Sequence, residues 1–179
     1  MAAEIGARSA RLALIPLTLD MMHAADHDRE GLSAALLARI PDDWPRPDLA
    51  EALPFFARLL AHDPTQYPWF VWVIVKVNDA VLVGDIGFRG PPMDQGMVEL
   101  GYSVLPAFQG QGIASEAAVA LVAWLDTLSE VRLVIARTEP DNLASQGVLR
   151  RVGMAERGME DGLIRWEFPL GVGADSFGK

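Results

Sequence analysis

The sequence predicts an α+β fold, a mixed and mostly antiparallel sheet of six or seven strands flanked by helices, on four observations. Trp69 to Lys76 (Trp-Phe-Val-Trp-Val-Ile-Val-Lys) is apolar on both faces, the pattern of a central strand covered from two sides. Asn78-Asp79 then turns the chain into Val81 to Phe88, the second strand of a hairpin. Val98, Leu100, Tyr102 and Val104 alternate with Glu99, Gly101 and Ser103, so a further strand runs up to Pro106, which cannot donate to a ladder. Beyond Gly110-Gln111-Gly112 the apolar residues Ile113, Ala114, Ala117, Leu121, Trp124 and Leu125 recur at helical spacing.

The remaining elements follow in order. Arg11 to Leu17 is a first strand ended near Pro16, and Thr18 or Asp20 caps a helix after it. His23 and His27 in that helix lie four apart among Asp20, Asp26 and Asp28, but no third ligand completes a metal site, and a solvated polar face is the expectation. Gly31 to Ile40 is a second helix, Pro41 to Pro47 a restricted loop, and Asp48 the expected cap of a helix over Leu49 to Ala61. Gly90 to Gly96 is a loop. Val131 to Thr138 is a strand, Asn142 caps a helix over Leu143 to Val152, and Gly153 ends it. Met154 to Arg157 and Leu163 to Leu170 are the last strands, so residues 1–170 read as one domain and 171–179 as a flexible tail.

Composition narrows the function. The 179 residues carry a formal net charge of -9, which argues against a nucleic-acid partner because phosphate backbones need clustered Lys and Arg. There is no cysteine, hence no disulfide, thiolate nucleophile or zinc-thiolate site, which fits a cytoplasmic protein. No apolar run approaches a membrane span, and Glu4, Arg8 and Arg11 stand where a signal peptide needs an apolar core.

The richest chemistry lies where the strand ending at Val104 hands over to the helix beginning at Ile113. The first N–H groups of a helix lack partners and sit at the positive end of its dipole, so the turn Gln109-Gly110-Gln111-Gly112 suits a phosphate or pyrophosphate. A glycine without a side chain lets the anion reach the backbone.

Gln109-Gly110-Gln111-Gly112-Ile113-Ala114 resembles the Gln/Arg-x-x-Gly-x-Gly/Ala signature of the GCN5-related N-acetyltransferase (GNAT) superfamily. Glu99-Leu100-Gly101-Tyr102 before it, and Asn142-Leu143-Ala144-Ser145 after it, are similar to elements of the ribosomal-protein-alanine acetyltransferase-like branch, RimJ and RimL. The resemblance covers about residues 9 to 170. It implies acetyl-CoA as cosubstrate without a metal, and a sheet splayed at the acetyl-CoA site. Backbone N–H groups of Gln111, Gly112, Ile113 and Ala114 would hold the pyrophosphate, with Gln109 and Gly110 forming the turn. Val104 would pair through its backbone with the pantetheine amides, a main-chain N–H near Tyr102 or Ser103 would polarise the thioester carbonyl, Asn142 would contact the pantetheine arm, and Ser145 would lie near the sulfur. Asn142 and Ser145 equally suit a purely capping role.

Such an enzyme transfers the acetyl group directly to an amine in a ternary complex. Glu99 shares a strand face with Gly101 and Ser103 and is the candidate general base, acting directly or through water; a carboxylate that merely holds a neighbouring loop is the alternative. Many members place a tyrosine after the asparagine to protonate the departing thiolate. Tyr67 and Tyr102 are the only tyrosines and neither follows Asn142, which leaves Ser145 or water as the acid. The acceptor is a primary amine of a small molecule or a protein N-terminus, its pocket formed by about Leu17 to Tyr67, with monomer and homodimer both open. A non-catalytic coenzyme A-binding module is the alternative function. A dinucleotide fingerprint fits poorly, because its third glycine is Ser115 and Glu130 precedes the next strand instead of ending it.

Overall fold

A computed structural model describes residues 5–171. Its eight-stranded sheet has the order β1-β2-β3-β4-β5-β6-β8-β7, with β1 Ala7–Arg8, β2 Leu12–Pro16, β3 Val71–Lys76, β4 Val81–Phe88, β5 Met97–Val104, β6 Leu133–Thr138, β7 Ala155–Glu160 and β8 Leu163–Pro169. Every pair is antiparallel except β5 with β6. That parallel step needs a crossover, which α4 (Ile113–Leu125) supplies. The other helices are α1 Leu19–His27, α2 Arg29–Leu36, α3 Pro47–His62 and α5 Leu143–Val152. None of the described helices is long and apolar enough to cross a membrane.

The two-sided apolarity of β3 is used in full. Trp72 and Ile74 enter a core beneath α4 and α5, while Val71, Val73 and Val75 enter a second core beneath α1, α2 and α3. In the first core Trp124 of α4 lies 4.9 Å from Trp72 and 5.8 Å from Trp69 between ring centroids. Aromatic pairs at such distances add about 0.5–1.5 kcal/mol each beyond their buried area, so α4 is firmly seated on the sheet. Its N-terminal end is tied separately. Glu116 accepts hydrogen bonds from the Ser9 hydroxyl at 2.6 Å and from Arg11 Nε at 2.7 Å, and Arg11 Nη2 donates to the Gln111 carbonyl at 3.1 Å. Burial works to raise the Glu116 pKa, but these bonds outweigh it and hold the carboxyl below its ordinary value.

The structure departs from the sequence reading at several boundaries. β1 was not expected, because two residues carry no periodicity. Pro64–Trp69 forms a 3₁₀ turn, so β3 starts at Val71; Pro64 opens the turn and Pro68 lies within it. Asp48 is not the cap of α3 but an acidic residue in its first turn, because Pro47 takes the first helical position and Arg46 precedes it. α2 begins at Arg29 because Asp28 accepts from the Gly31 N–H, and it ends where Leu37 turns left-handed at φ 51°. The expected tail lies outside the described residues beyond Gly171.

β4 and β5 approach closely at glycines whose demands differ. A Cβ on Gly87 would lie 1.8 Å from the Phe70 carbonyl oxygen, whereas one on Gly101, directly opposite across the ladder, would meet nothing within 4 Å. Gly87→Ala should therefore cost about 1–3 kcal/mol through forced backbone movement, and Gly101→Ala should stay within about 0.5 kcal/mol of wild type. Urea unfolding of the two variants checks this, and equal losses would contradict it.

Candidate active site

β5 forks away from β6. The two pair only over Met97, Val98 and Glu99, opposite Leu133, Val134 and Ile135. Beyond that step β5 stays with β4 as far as Val104, and β6 stays with β8 as far as Thr138. Hydrogen-bonded pairs alternate along an antiparallel ladder. Arg89 donates to the Glu99 carbonyl and Leu105 to that of Val83, so the odd-numbered residues of β5 spend their main-chain groups on β4. Tyr102 and Val104 face the fork instead.

The fork opens into a cleft of about 580 Å³ lined by Tyr102, Ser103, Val104, Gln109, Gly110, Gly112, Ile113 and Ala114, and on the far side by Asn142, Ala144 and Ser145. Most of the residues expected at the site thus meet in one place. In the glycine turn Gly110 and Gly112 have φ of 73° and 77°, a region that side chains rarely enter. No side chain caps the N-terminus of α4, so its first N–H groups stay available. The Gln109 amide donates to the Val104 carbonyl at 2.9 Å and locks the turn onto the end of β5. Asn142 does cap α5, accepting from the Ser145 N–H at 3.0 Å.

Four features were not legible in the sequence. The Tyr102 hydroxyl lies 2.7 Å from Ser145 Oγ and 3.1 Å from the Ser145 carbonyl, so a phenol reaches the serine from the opposite side of the fork. Burial pushes that phenol above its ordinary pKa, with the Ser145 hydrogen bond opposing. Ser115 Oγ, in the first turn of α4, is buried and lacks a hydrogen-bond partner among the described residues, a donor and acceptor left over beside the anion-binding turn. Arg46 and Arg151 bring positive charge to the cleft of an acidic protein. Among the described residues no group of three or more His, Cys, Asp or Glu is arranged to hold a metal ion.

Glu99 is placed at the last paired step of the fork and does not line the cleft. Its Oε1 meets Arg89 at 3.0 Å and its Oε2 meets Arg137 at 2.5 Å, with the carboxylate side chain 11% exposed. A different carboxylate, Asp85 of β4, does not line the cleft either but stands directly opposite Ser103, which does. Its Oδ2 accepts the indole N–H of buried Trp44 at 3.1 Å. Burial pushes the Asp85 carboxyl up to about 7; the Trp44 hydrogen bond opposes this, Asp48 adds to it and Arg46 opposes it.

The family model described as "Acetyltransferase (GNAT) domain" matches residues 11–155. The chain belongs to the GNAT acetyltransferase family. It is an acyltransferase by that membership, and a curated relative agrees: an uncharacterised N-acetyltransferase of Bacillus subtilis, YjdG, is 32% identical over 143 residues, 80% of this chain and 85% of that protein. Among solved structures, Mycobacterium smegmatis RimJ in complex with CoA-disulfide superposes with a TM-score of 0.65 at 19% identity, over 93% of this chain and 88% of that one. A ribosomal-protein-S5-alanine acetyltransferase of Vibrio fischeri does so with a TM-score of 0.64 at 16% identity, over 94% and 98%. At these identities the likeness is one of fold. The mostly antiparallel eight-stranded sheet and its flanking helices are thus a GNAT fold, and the superposed RimJ structure is a complex with CoA-disulfide.

The raised Asp85 carboxyl has a consequence for stability. The folded protein keeps its proton up to about pH 7, whereas an unfolded chain releases it near the ordinary 3.8. Between those values the folded state binds more protons, so this group makes stability fall as pH rises from about 4 to 7. Asp85→Asn should remove that slope and be more favourable relative to wild type at pH 8 than at pH 5. Urea unfolding at the two pH values checks this; a difference independent of pH would contradict it.

Proposed function

We propose that this acyltransferase moves an acetyl group from acetyl-CoA to a primary amine of a small molecule or a peptide N-terminus, by direct attack in a ternary complex. The observation that carries the proposal is the uncapped N-terminus of α4, opening through two left-handed glycines into a cleft that continues without a break to Tyr102 and Ser145. An anion-binding turn alone would serve a coenzyme A-binding module; the phenol–serine pair beyond it favours an enzyme.

The residues fit the cosubstrate. The N–H groups from Gln111 to Ala114 converge where a pyrophosphate would sit, with the unpartnered Ser115 hydroxyl beside them. Bound acetyl-CoA supplies the acetyl group in activated thioester form. Val104 faces the fork with its N–H, while its carbonyl is taken by Gln109, so the pantetheine arm is read through the N–H. The alternation of β5 favours the Tyr102 N–H over that of Ser103 as the donor to the thioester carbonyl oxygen, because the Ser103 N–H belongs to the β4 ladder. Ser145 and Tyr102 share a short hydrogen bond, a route for a proton to the leaving sulfur. Tyr102 would then serve the role that many members give to a tyrosine after the asparagine. Glu99, as the candidate base, has both oxygens engaged by guanidinium groups, which favours its alternative role of holding strands together.

Acetyl-CoA at about 100 times its dissociation constant should stabilise the fold by about 2.7 kcal/mol against urea, whereas NAD should have no effect. Gly112→Val would force a β-branched residue into a left-handed dihedral and obstruct the turn. It should weaken acetyl-CoA binding at least about tenfold, a loss of about 1.4 kcal/mol, in a protein that still folds. Calorimetry showing unchanged affinity in the folded variant, or equal stabilisation by NAD, would overturn the proposal.

A further inference from the structure

The face of β5 that carries Glu99, Gly101 and Ser103 looks toward α1–α3, away from the core beneath α4. Residues opposite one another across an antiparallel ladder share a face, so Gly87 lies beside Gly101, and Asp85 beside Ser103. Neither glycine has a side chain to cover the sheet. Gly101 is exposed, with open space where its Cβ would be. Gly87 is buried under the Phe70 carbonyl, so the open part of this face is the strip over Gly101, one residue from Tyr102. At one end of the strip Glu99 is held by Arg89 and Arg137. At the other end stands Asp85.

The two carboxylates at these ends differ in what they have left to offer. Glu99 has an ion-pair partner on each oxygen. Asp85 uses Oδ2 for the Trp44 indole, while Oδ1 takes no hydrogen bond from any described residue. Trp44 is itself held, because Arg29 donates to its carbonyl at 2.9 Å and also to the carbonyl of Pro41. The contact between Trp44 and Asp85 is thus braced from α2, and Oδ1 is aimed by a rigid neighbour. The charged groups around it are Arg46 before α3 and Asp48 in its first turn; the β3 residue paired with it is Val73, and the β5 residue is Ser103.

We infer that Asp85 is the proton acceptor for the attacking amine, that the amine arrives as its ammonium ion over Gly101, and that Glu99 serves only to tie β5 to its neighbours. The inference rests on the acetyl-transfer reading above. One ammonium proton passes to the Asp85 carboxylate and frees the nitrogen lone pair. The nitrogen then bonds to the acetyl carbonyl carbon, the C–S bond breaks with its electron pair on sulfur, and a second nitrogen proton reaches the sulfur by way of Ser145 and Tyr102. Asp85 returns its proton to solvent. A carboxyl titrating near 7 suits this task, because it is ionised often enough to accept a proton and basic enough to hold one.

The test uses the full chain, with glycinamide, spermidine and an alanine-initiated peptide as amine probes and released CoA thiol as the readout. Asp85→Asn retains the volume and still accepts the Trp44 N–H. It should bind acetyl-CoA within about twofold of wild type and turn over roughly 100-fold or more slowly. Glu99→Gln should keep turnover within about threefold per folded molecule while unfolding at lower urea. Trp44→Phe removes the hydrogen bond that opposes the rise in Asp85, so the acidic limb of kcat/KM for the amine should move to higher pH, which a merely structural aspartate would not cause. Wild-type turnover with an Asp85→Asn variant of equal rate, or an acidic limb unmoved in Trp44→Phe, overturns the assignment of Asp85 alone. A wild type that binds acetyl-CoA and releases no CoA with any probe overturns the transferase reading and this inference with it.

Discussion

The parting of β5 from β6 after Glu99 is the constraint on which the site depends. Inside a continuous sheet the main-chain groups of Tyr102 and Val104 would be spent on a neighbouring strand; in the fork both N–H groups are left for a ligand, and Gln109 takes the Val104 carbonyl. A fork in a sheet is costly unless its arms are held, and here each arm has its own ladder: β5 leans on β4, and β6 on β8. The branching point carries one further tie. Glu99 reaches Arg137 on β6 and Arg89 just past β4, so a single largely buried carboxylate joins three strands where they diverge. Isolated ion pairs at the surface contribute little. Here the carboxylate is largely buried and charge-assisted on both oxygens, and the half-buried Arg137 rather than the exposed Arg89 is the partner placed to contribute most.

The helix that uses the fork is fixed at both of its ends. Trp124 buries the C-terminal part of α4 against Trp69, Trp72 and Phe88, and Glu116 clamps its first turn to Ser9 and Arg11. The clamp accounts for β1 and the turn after it: two residues of strand would contribute little alone, but they deliver Ser9 and Arg11 to the start of the helix. A site made of backbone N–H groups needs its helix terminus placed to within a fraction of an ångström. The terminus is here pinned from the side by the hairpin and from below by the aromatic cluster.

Local patterns in the sequence disclosed the strands, the crossover helix, the Asn142 cap and the glycine turn, because alternation, helical spacing and left-handed glycines are written within a few residues of one another. Two boundaries shifted where prolines compete, at Pro47 and at Pro64, and those of α2 shifted with the Asp28 cap and the left-handed Leu37. The contacts that assign chemistry were hidden for a different reason. Tyr102 and Ser145 are 43 residues apart, Trp44 and Asp85 are 41, and Glu99 and Arg137 are 38. No local pattern connects such pairs; only the register of β4 on β5 and the return of α5 across the fork bring them together. Asp85 in particular reads in the sequence as one polar residue in a strand, with nothing to mark it as buried beneath a tryptophan.

Asp85 and Glu99 lie on one face of one ladder, yet their surroundings push them toward different work. A carboxylate that two guanidinium groups engage is valuable as a tie, and each lone pair given to an arginine is unavailable to an incoming ammonium. A carboxyl deprived of water, with one neutral N–H on one oxygen, keeps its other oxygen open and holds a proton near neutrality. Environment divides two like side chains into a fastener and an acid–base group. The division has a structural logic, because the fastener spends both oxygens on guanidinium groups while the other group must change its charge in every cycle. One carboxylate could not do both without loosening the sheet each time it took up a proton.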